Sequence, residues 1–190
     1  YRATCHGEAG HSAMAPRFTN ALHLAADLIG ALRAEQARLL REGAQDAAYD
    51  VPSSTVHAGI LRGGVALNIV PDEAEVDFEI RHLAAERAGE ILSRITAELP
   101  AGIEIAQTGA YPGLDTDPAV PAIARFAALL PAAAPVKVSY GTEAGFFAAL
   151  GLPTMVCGPG TMDDGHQPDE SIARSELALC AGVLARTVAG

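Results

Sequence analysis

An α+β fold is predicted for this chain by three observations. Residues 74–81 alternate strictly, with Ala74, Val76, Phe78 and Ile80 on one side and Glu75, Asp77, Glu79 and Arg81 on the other, the pattern of a strand buried on one face only. Two segments, about 20–42 and 85–99, instead carry apolar residues at helical spacing, and each falls between strand-like stretches. After Gly109 the pattern changes, and Tyr111-Pro112-Gly113-Leu114-Asp115 reads as an irregular crossing, which places a boundary near residue 110.

Residues 1–10 can form a strand, and Pro16 marks the turn out of it. A helix from about Asn20 to Glu42 follows, with Ala21, Ala25, Leu28, Ile29 and Leu32 on one face and Gly43 as its stop. It would span roughly 34 Å at the standard rise, which is long for a small domain. Strands are expected at about 52–61 and 66–81, then a second helix carrying Ala88, Ile91, Leu92, Ile95 and Leu99, and a last strand at Ile103-Glu104-Ile105. The order βαββαβ over residues 1–110 is that of a ferredoxin-like sandwich, two helices covering one face of an antiparallel sheet.

In residues 111–190, Asp117-Pro118 reads as a helix start, with Ile123, Phe126, Ala127 and Leu130 on the apolar face. Short strands are expected at Val136-Lys137-Val138 and at 153–157, flanking a helix near 143–150, and a closing helix from Ser175 should pack Cys180, Val183, Leu184 and Val188. Such alternation suggests a parallel sheet. Two strands make a poor one, because a strand buried on both faces needs neighbours for its backbone groups, so the rest of that sheet is expected elsewhere.

Composition narrows the function. The formal charge of −10 leaves no basic stripe to hold a phosphate backbone, so nucleic acid is not an expected partner. Apolar stretches are broken by charge, Gly or Pro well short of the roughly 20 residues a membrane span requires, and no export signal is visible. The three cysteines are odd in number and far apart, with Cys157 and Cys180 in apolar surroundings suited to buried thiols, so a reducing, cytoplasmic setting is expected.

Four segments carry candidate chemistry. Cys157-Gly158-Pro159-Gly160 runs from a strand into an acidic loop ending in His166-Gln167-Pro168-Asp169-Glu170, where the histidine could present a ring nitrogen to a metal. Ser139-Tyr140-Gly141-Thr142-Glu143 reads as a strand end, a tight turn at Gly141 and a helix capped by Thr142, whose amides could receive an anionic group. His11 stands in Gly10-His11-Ser12-Ala13 among small residues that leave its ring accessible. Arg62-Gly63-Gly64 and Asn68-Ile69-Val70-Pro71 form a bend leading to Arg81, which alternation places on the uncovered sheet face where a bidentate grip on a carboxylate is possible. Each has a plainer alternative: a loop histidine beside acids, an ordinary capped helix, a turn histidine, and an arginine paired with Asp77 or Glu79. A structural metal site from Cys5, His6, Glu8 and His11 is disfavoured, because adjacent strand residues point to opposite faces.

Gly-Pro-Gly followed by His-Gln-Pro-Asp-Glu resembles the last metal-ligand motif of the dinuclear zinc peptidases and deacylases that include acetylornithine deacetylase and succinyl-diaminopimelate desuccinylase. Gly165 stands where that family often has Ala. The resemblance implies a ferredoxin-like dimerisation domain over 1–110 and the carboxy-terminal segment of an α/β catalytic domain over 111–190. It implies a zinc-ligand role for His166, and for His11 a place in the partner subunit's active site as hydrogen-bond donor to the tetrahedral intermediate. Asn68 and Arg81 would hold the substrate's amide and carboxylate ends, and Gly141, Thr142 and Glu143 would line the pocket. The substrate would be an N-acyl amino acid such as acetylornithine, an intermediate of arginine biosynthesis, with two zinc ions in each subunit of a homodimer. The family's remaining ligands and its general base lie upstream of the His11 region and have no counterpart in this sequence, so the chain alone is expected to be inactive. A ferredoxin-like dimerisation or ligand-binding module without catalytic function is the alternative; it leaves the His166 motif unexplained.

Overall fold

The computed structural model describes residues 1–130, 135–161, 165 and 167–189. They fall into two compact units, Tyr1–Gly113 and Leu114–Gly190.

In the first unit the strands are β1 (Arg2–His6), β2 (Gly10–His11), β3 (Thr55–Gly63), β4 (Ile69–Val70), β5 (Glu73–Arg81) and β6 (Ile103–Ala106), and the helices α1 (Ala21–Glu42) and α2 (Ala88–Thr96). A four-stranded antiparallel sheet runs in the order β3-β5-β1-β6, and β2 pairs with β4 in a separate small ladder. This is the ferredoxin-like arrangement, with each helix crossing between strands that are not neighbours. The stretch expected to be one strand over 66–81 is divided: Pro71, which has no amide hydrogen to donate, falls between β4 and β5, and the break frees β4 to pair with β2.

Helix α1 begins where the Asn20 side chain accepts from the Leu22 amide at 2.9 Å and ends where the Gly43 amide donates to the Leu39 carbonyl. Its buried stripe, Ala21, Leu24, Ala25, Leu28, Leu32 and Leu39, packs with Ile91 and Ile95 of α2 against Ala3 and Cys5 of β1, Val56 of β3 and Ala74, Val76 and Phe78 of β5. The opposite sheet face is wet and charged. Arg2 makes a two-pronged contact with Asp77 at 2.7 and 2.9 Å, and Arg62 approaches the same carboxylate at 3.5 Å. Cys5 is the buried thiol, its pKa pushed up by desolvation, whereas Cys157 is exposed and Cys180 half-buried, contrary to expectation.

One polar residue interrupts the α1 stripe. Glu35 occupies a core position on the face of Leu32 and Leu39 and is only 5% exposed. Arg38 bonds it through both carboxylate oxygens at 2.9 Å, and Arg94 of α2 adds a third bond at 2.9 Å, so the cluster ties the two helices together. Burial pushes the Glu35 carboxyl up, but the hydrogen bonds and charges of the two arginines outweigh it and hold the group below its ordinary 4.5. With the folded value depressed, its contribution is complete above the unfolded-state value and lost as pH falls through the folded one. Glu35→Gln is therefore expected to cost about 1–3 kcal/mol near neutrality, with the gap from wild type narrowing below about pH 4.5. Urea midpoints across pH check this, and an undiminished gap in acid would contradict it.

In the second unit the helices are α3 (Pro121–Ala127), α4 (Ala144–Ala149) and α5 (Arg174–Ala189). Helix α3 starts three residues later than the Asp117-Pro118 signal suggests. Asp117 caps only a turn, accepting from the Ala119 amide at 2.8 Å, and Pro121 forces Val120 out of the helical region, so continuous helix is possible only from 121 onward. Residues 136–138 and 153–157 join no strand ladder among the described residues and are not strands, although Lys137 is ion-paired to Asp115 at 2.9 Å. On α5 only Val183 is buried, and Leu184 and Val188 are 56% and 88% exposed, against expectation.

Candidate functional site

The first unit gathers the candidate residues at two separated places. At one, β2 pairs with β4, placing Gly10 opposite Val70 and His11 opposite Ile69. The Ser12 amide donates to the Asn68 carbonyl at 3.0 Å, so His11 and Asn68, far apart in sequence, become neighbours on one small module. The module is anchored by backbone contacts: Gly7 N–H to the Asp72 carbonyl at 2.7 Å, Glu8 N–H to Thr19 at 2.8 Å and Ala21 N–H to Pro71 at 3.0 Å. Val70 and Pro71 are buried beneath it, while His11 and Asn68 are exposed. Gly10 is required by close approach, since a Cβ there would collide with the Phe18 ring. Gly64, at φ +77°, supplies the left-handed turn that starts the 64–69 loop, whose Val65 and Leu67 are 87% and 100% exposed.

After His11 the chain enters a 3-10 helix, Ser12–Arg17, and the imidazole caps it: the Ala13 amide donates to Nδ1 at 3.1 Å. His11 has extended backbone geometry, φ −71° and ψ 132°, as a capping residue should.

Arg81 lies at the other place. It ends β5 opposite Thr55, whereas the His11 module adjoins the beginning of β5, where Glu73 faces His6. Glu73 and Arg81 are the first and last of the nine residues of β5, about 26 Å apart at the rise of a strand. The Arg81 guanidinium meets Glu79 through Nε at 2.8 Å and a terminal nitrogen at 3.2 Å. That hydrogen bonding holds the Glu79 carboxyl below the usual range and shows that Arg81 is placed for two-point contact with a carboxylate.

In the second unit, Thr142 Oγ1 accepts from the Ala144 amide at 3.1 Å and so caps the entry to α4, while Glu143 sits at the helix boundary with its side chain exposed. Gly141 has open space where a Cβ would project, so packing alone does not require glycine there. His166 lies outside the described residues, as do Asp163 and Asp164; beyond them Asp169 has φ 65° and the Glu170 amide returns to the Gln167 carbonyl at 3.2 Å. Among the described residues no group of three histidine, cysteine, aspartate or glutamate side chains could hold a metal ion. The one candidate ligand in the sequence, His166, lies outside those residues.

The Glu35 cluster lies outside the sequence expectations, although a charged residue at a core position of α1 with Arg38 three residues on is a readable signal. No comparable signal marks the clasp in which Ser54 donates to Glu86 and accepts from the Leu83 amide, joining the entry to β3 with the loop before α2.

The first unit is an antiparallel sandwich with helices on one face, and among the described residues no strand pairs with the outer edge of β3. The chain belongs to the peptidase dimerisation domain family, whose pattern matches residues 1–104. It is 33% identical to the acetylornithine deacetylase of Myxococcus xanthus over 193 aligned positions, covering 96% of this chain and 50% of that one. Against the acetylornithine deacetylase of Klebsiella pneumoniae (strain 342) it is 34% identical, covering 86% and 44%. Among solved structures, a tripeptidase from Staphylococcus aureus superposes with a TM-score of 0.70 at 20% identity, covering 98% of this chain and 49% of that one. An aminopeptidase PepT from Bacillus cereus gives 0.65 at 22%, with the same coverages. The chain thus spans about half the length of the relatives it matches. No helix among the described residues is long and apolar enough to cross a membrane.

Proposed function

We propose that this chain is the dimerising half of a metal-dependent amidohydrolase that removes the acyl group from an N-acyl amino acid, with acetylornithine as the substrate favoured by its similarity to acetylornithine deacetylases. The observation that carries the mechanistic part is the separation of His11 and Asn68 from Arg81 by the length of β5. No small substrate can touch both places on one protomer, so a pocket using all three takes His11 and Asn68 from one copy and Arg81 from another.

Support for self-association comes from the edge of the sheet. Among the described residues no strand pairs with the outer side of β3, Ile60 and Leu61 on it are 42% and 51% exposed, and an open groove beside α1 is lined by Ile29, Leu32 and Leu40 together with Arg33, Gln36 and His57. A second copy related by a twofold axis would extend the sheet and cover the groove.

In this reading Arg81 exchanges Glu79 for the substrate's carboxylate, Asn68 holds the amide, and His11 donates a hydrogen bond where negative charge develops on the carbonyl oxygen. Zinc, when bound, would supply the activated water; His166 is the ligand this chain would contribute, and Gly141, Thr142 and Glu143 would line the pocket. Three free cysteines suit a reducing, cytoplasmic enzyme. The test is hydrolysis by the complete enzyme loaded with zinc, comparing N-acetylornithine with N-succinyl-diaminopimelate. Preferential release of acetate supports the reading, a preference for the succinyl substrate moves it to the sister activity, and hydrolysis of neither would end it.

A further inference from the structure

We infer that the backbone N–H of Ala13 fixes the His11 imidazole in its Nε2-protonated tautomer, so that the ring presents one N–H, at Nε2, to whatever approaches the β2–β4 module. The functional meaning of this rests on the proposed donor role of His11; the geometry does not.

A backbone amide can only donate. Its bond to Nδ1, at 3.1 Å, therefore requires a lone pair on that nitrogen. A neutral imidazole carries one ring proton, and with Nδ1 acting as acceptor that proton must sit on Nε2. The other tautomer would set N–H against N–H at the same distance and would forfeit the cap on the 3-10 helix. Neither nitrogen's role is then left to the substrate to select.

The backbone that carries the ring is held as well. The backbone on either side of His11 is pinned by Gly10 opposite Val70 and by the Ser12 amide on the Asn68 carbonyl, and the Phe18 ring closes against Gly10, where no side chain could fit. Ala13 is thus a positioning residue acting through its main chain. A donor aligned and protonated before the reaction adds no reorganisation at the moment charge develops, which is where such groups gain their effect.

The test is a long-range proton–nitrogen correlation spectrum of the imidazoles in the 15N-labelled 190-residue chain at mildly alkaline pH, with the His11 signals assigned by their loss in His11→Asp. The expected result is a single Nε2–H pattern for His11, with Nδ1 at the position of a hydrogen-bonded acceptor. Alongside it, the Ala13 amide should exchange slowly in wild type and in His11→Asp, whose carboxylate still caps the turn, and rapidly in His11→Ala. An Nδ1–H pattern, averaging between tautomers, or equal Ala13 exchange in wild type and His11→Ala would overturn the inference. Turnover of the complete enzyme separates this from the donor role. If His11→Asp keeps full activity while the spectrum is as expected, the donor role fails and the tautomer assignment holds. If the ring averages while His11→Asp loses about 10²–10³ in turnover, the assignment fails and the donor role holds.

Discussion

Coexpressing two crippled variants of the complete enzyme, His11→Ala and Arg81→Ala, is expected to restore about a quarter of wild-type activity. On the proposed roles each variant alone should lose at least about 10²-fold, His11→Ala through the loss of a donor to the developing oxyanion and Arg81→Ala through the loss of a two-point grip on a carboxylate. The restoration follows from the geometry of one protomer. His11 lies beyond the Glu73 end of β5 and Arg81 ends the same strand, about 26 Å away. A pocket that uses both therefore draws them from different copies. In a mixed dimer one pocket receives both intact residues and the other receives neither, and random pairing makes about half of the dimers mixed. Activity in the mixture no greater than the mean of the two variants would show that the residues do not share a pocket across the dimer.

Leu28→Ala is expected to destabilise the first unit by about 3–5 kcal/mol. Leu28 is fully buried at the middle of α1, in the cluster formed with both helices and the sheet. Truncation removes its transfer free energy and leaves a cavity that the close-packed helix and sheet fill only in part. Marginal stability of a domain makes such a loss a large fraction of the whole, and the melting temperature should fall by more than about 10 °C. Val65→Ala, at a site 87% exposed, is the control and should change stability by less than about 0.5 kcal/mol. Denaturant midpoints for the two variants decide the matter; similar midpoints would mean that the helix–sheet layer is not the stabilising core.

Much of the first unit was legible because its signals are local. The alternation of Ala74, Val76 and Phe78 with Glu75, Asp77 and Glu79 is the burial pattern of β5, and Asn20 and Gly43 end α1 where their side chain and backbone chemistry say they should. Pro71 was legible too, but its consequence was not: it divides a stretch that alternation had joined, and the freed β4 finds β2. In the second unit, Val120 before Pro121 overrode the Asp117-Pro118 signal, and the apolar segments 136–138 and 153–157 carry strand-like composition without the neighbours that would make them strands among the described residues.

Sequence by itself determined the two helices and the long strands of the first unit, the charged face of the sheet, the family resemblance carried by the His166 motif, and the choice of His11, Asn68 and Arg81 as candidates, because periodicity, capping and motif spacing are properties of neighbouring residues. Only the tertiary structure decided that His11 sits beside Asn68 and far from Arg81, that Glu35 is buried between two arginines, and that the Ala13 amide points at Nδ1. Those facts depend on strand register and on chain crossings between residues distant in sequence, and one slip of register would send the same side chains to the opposite face.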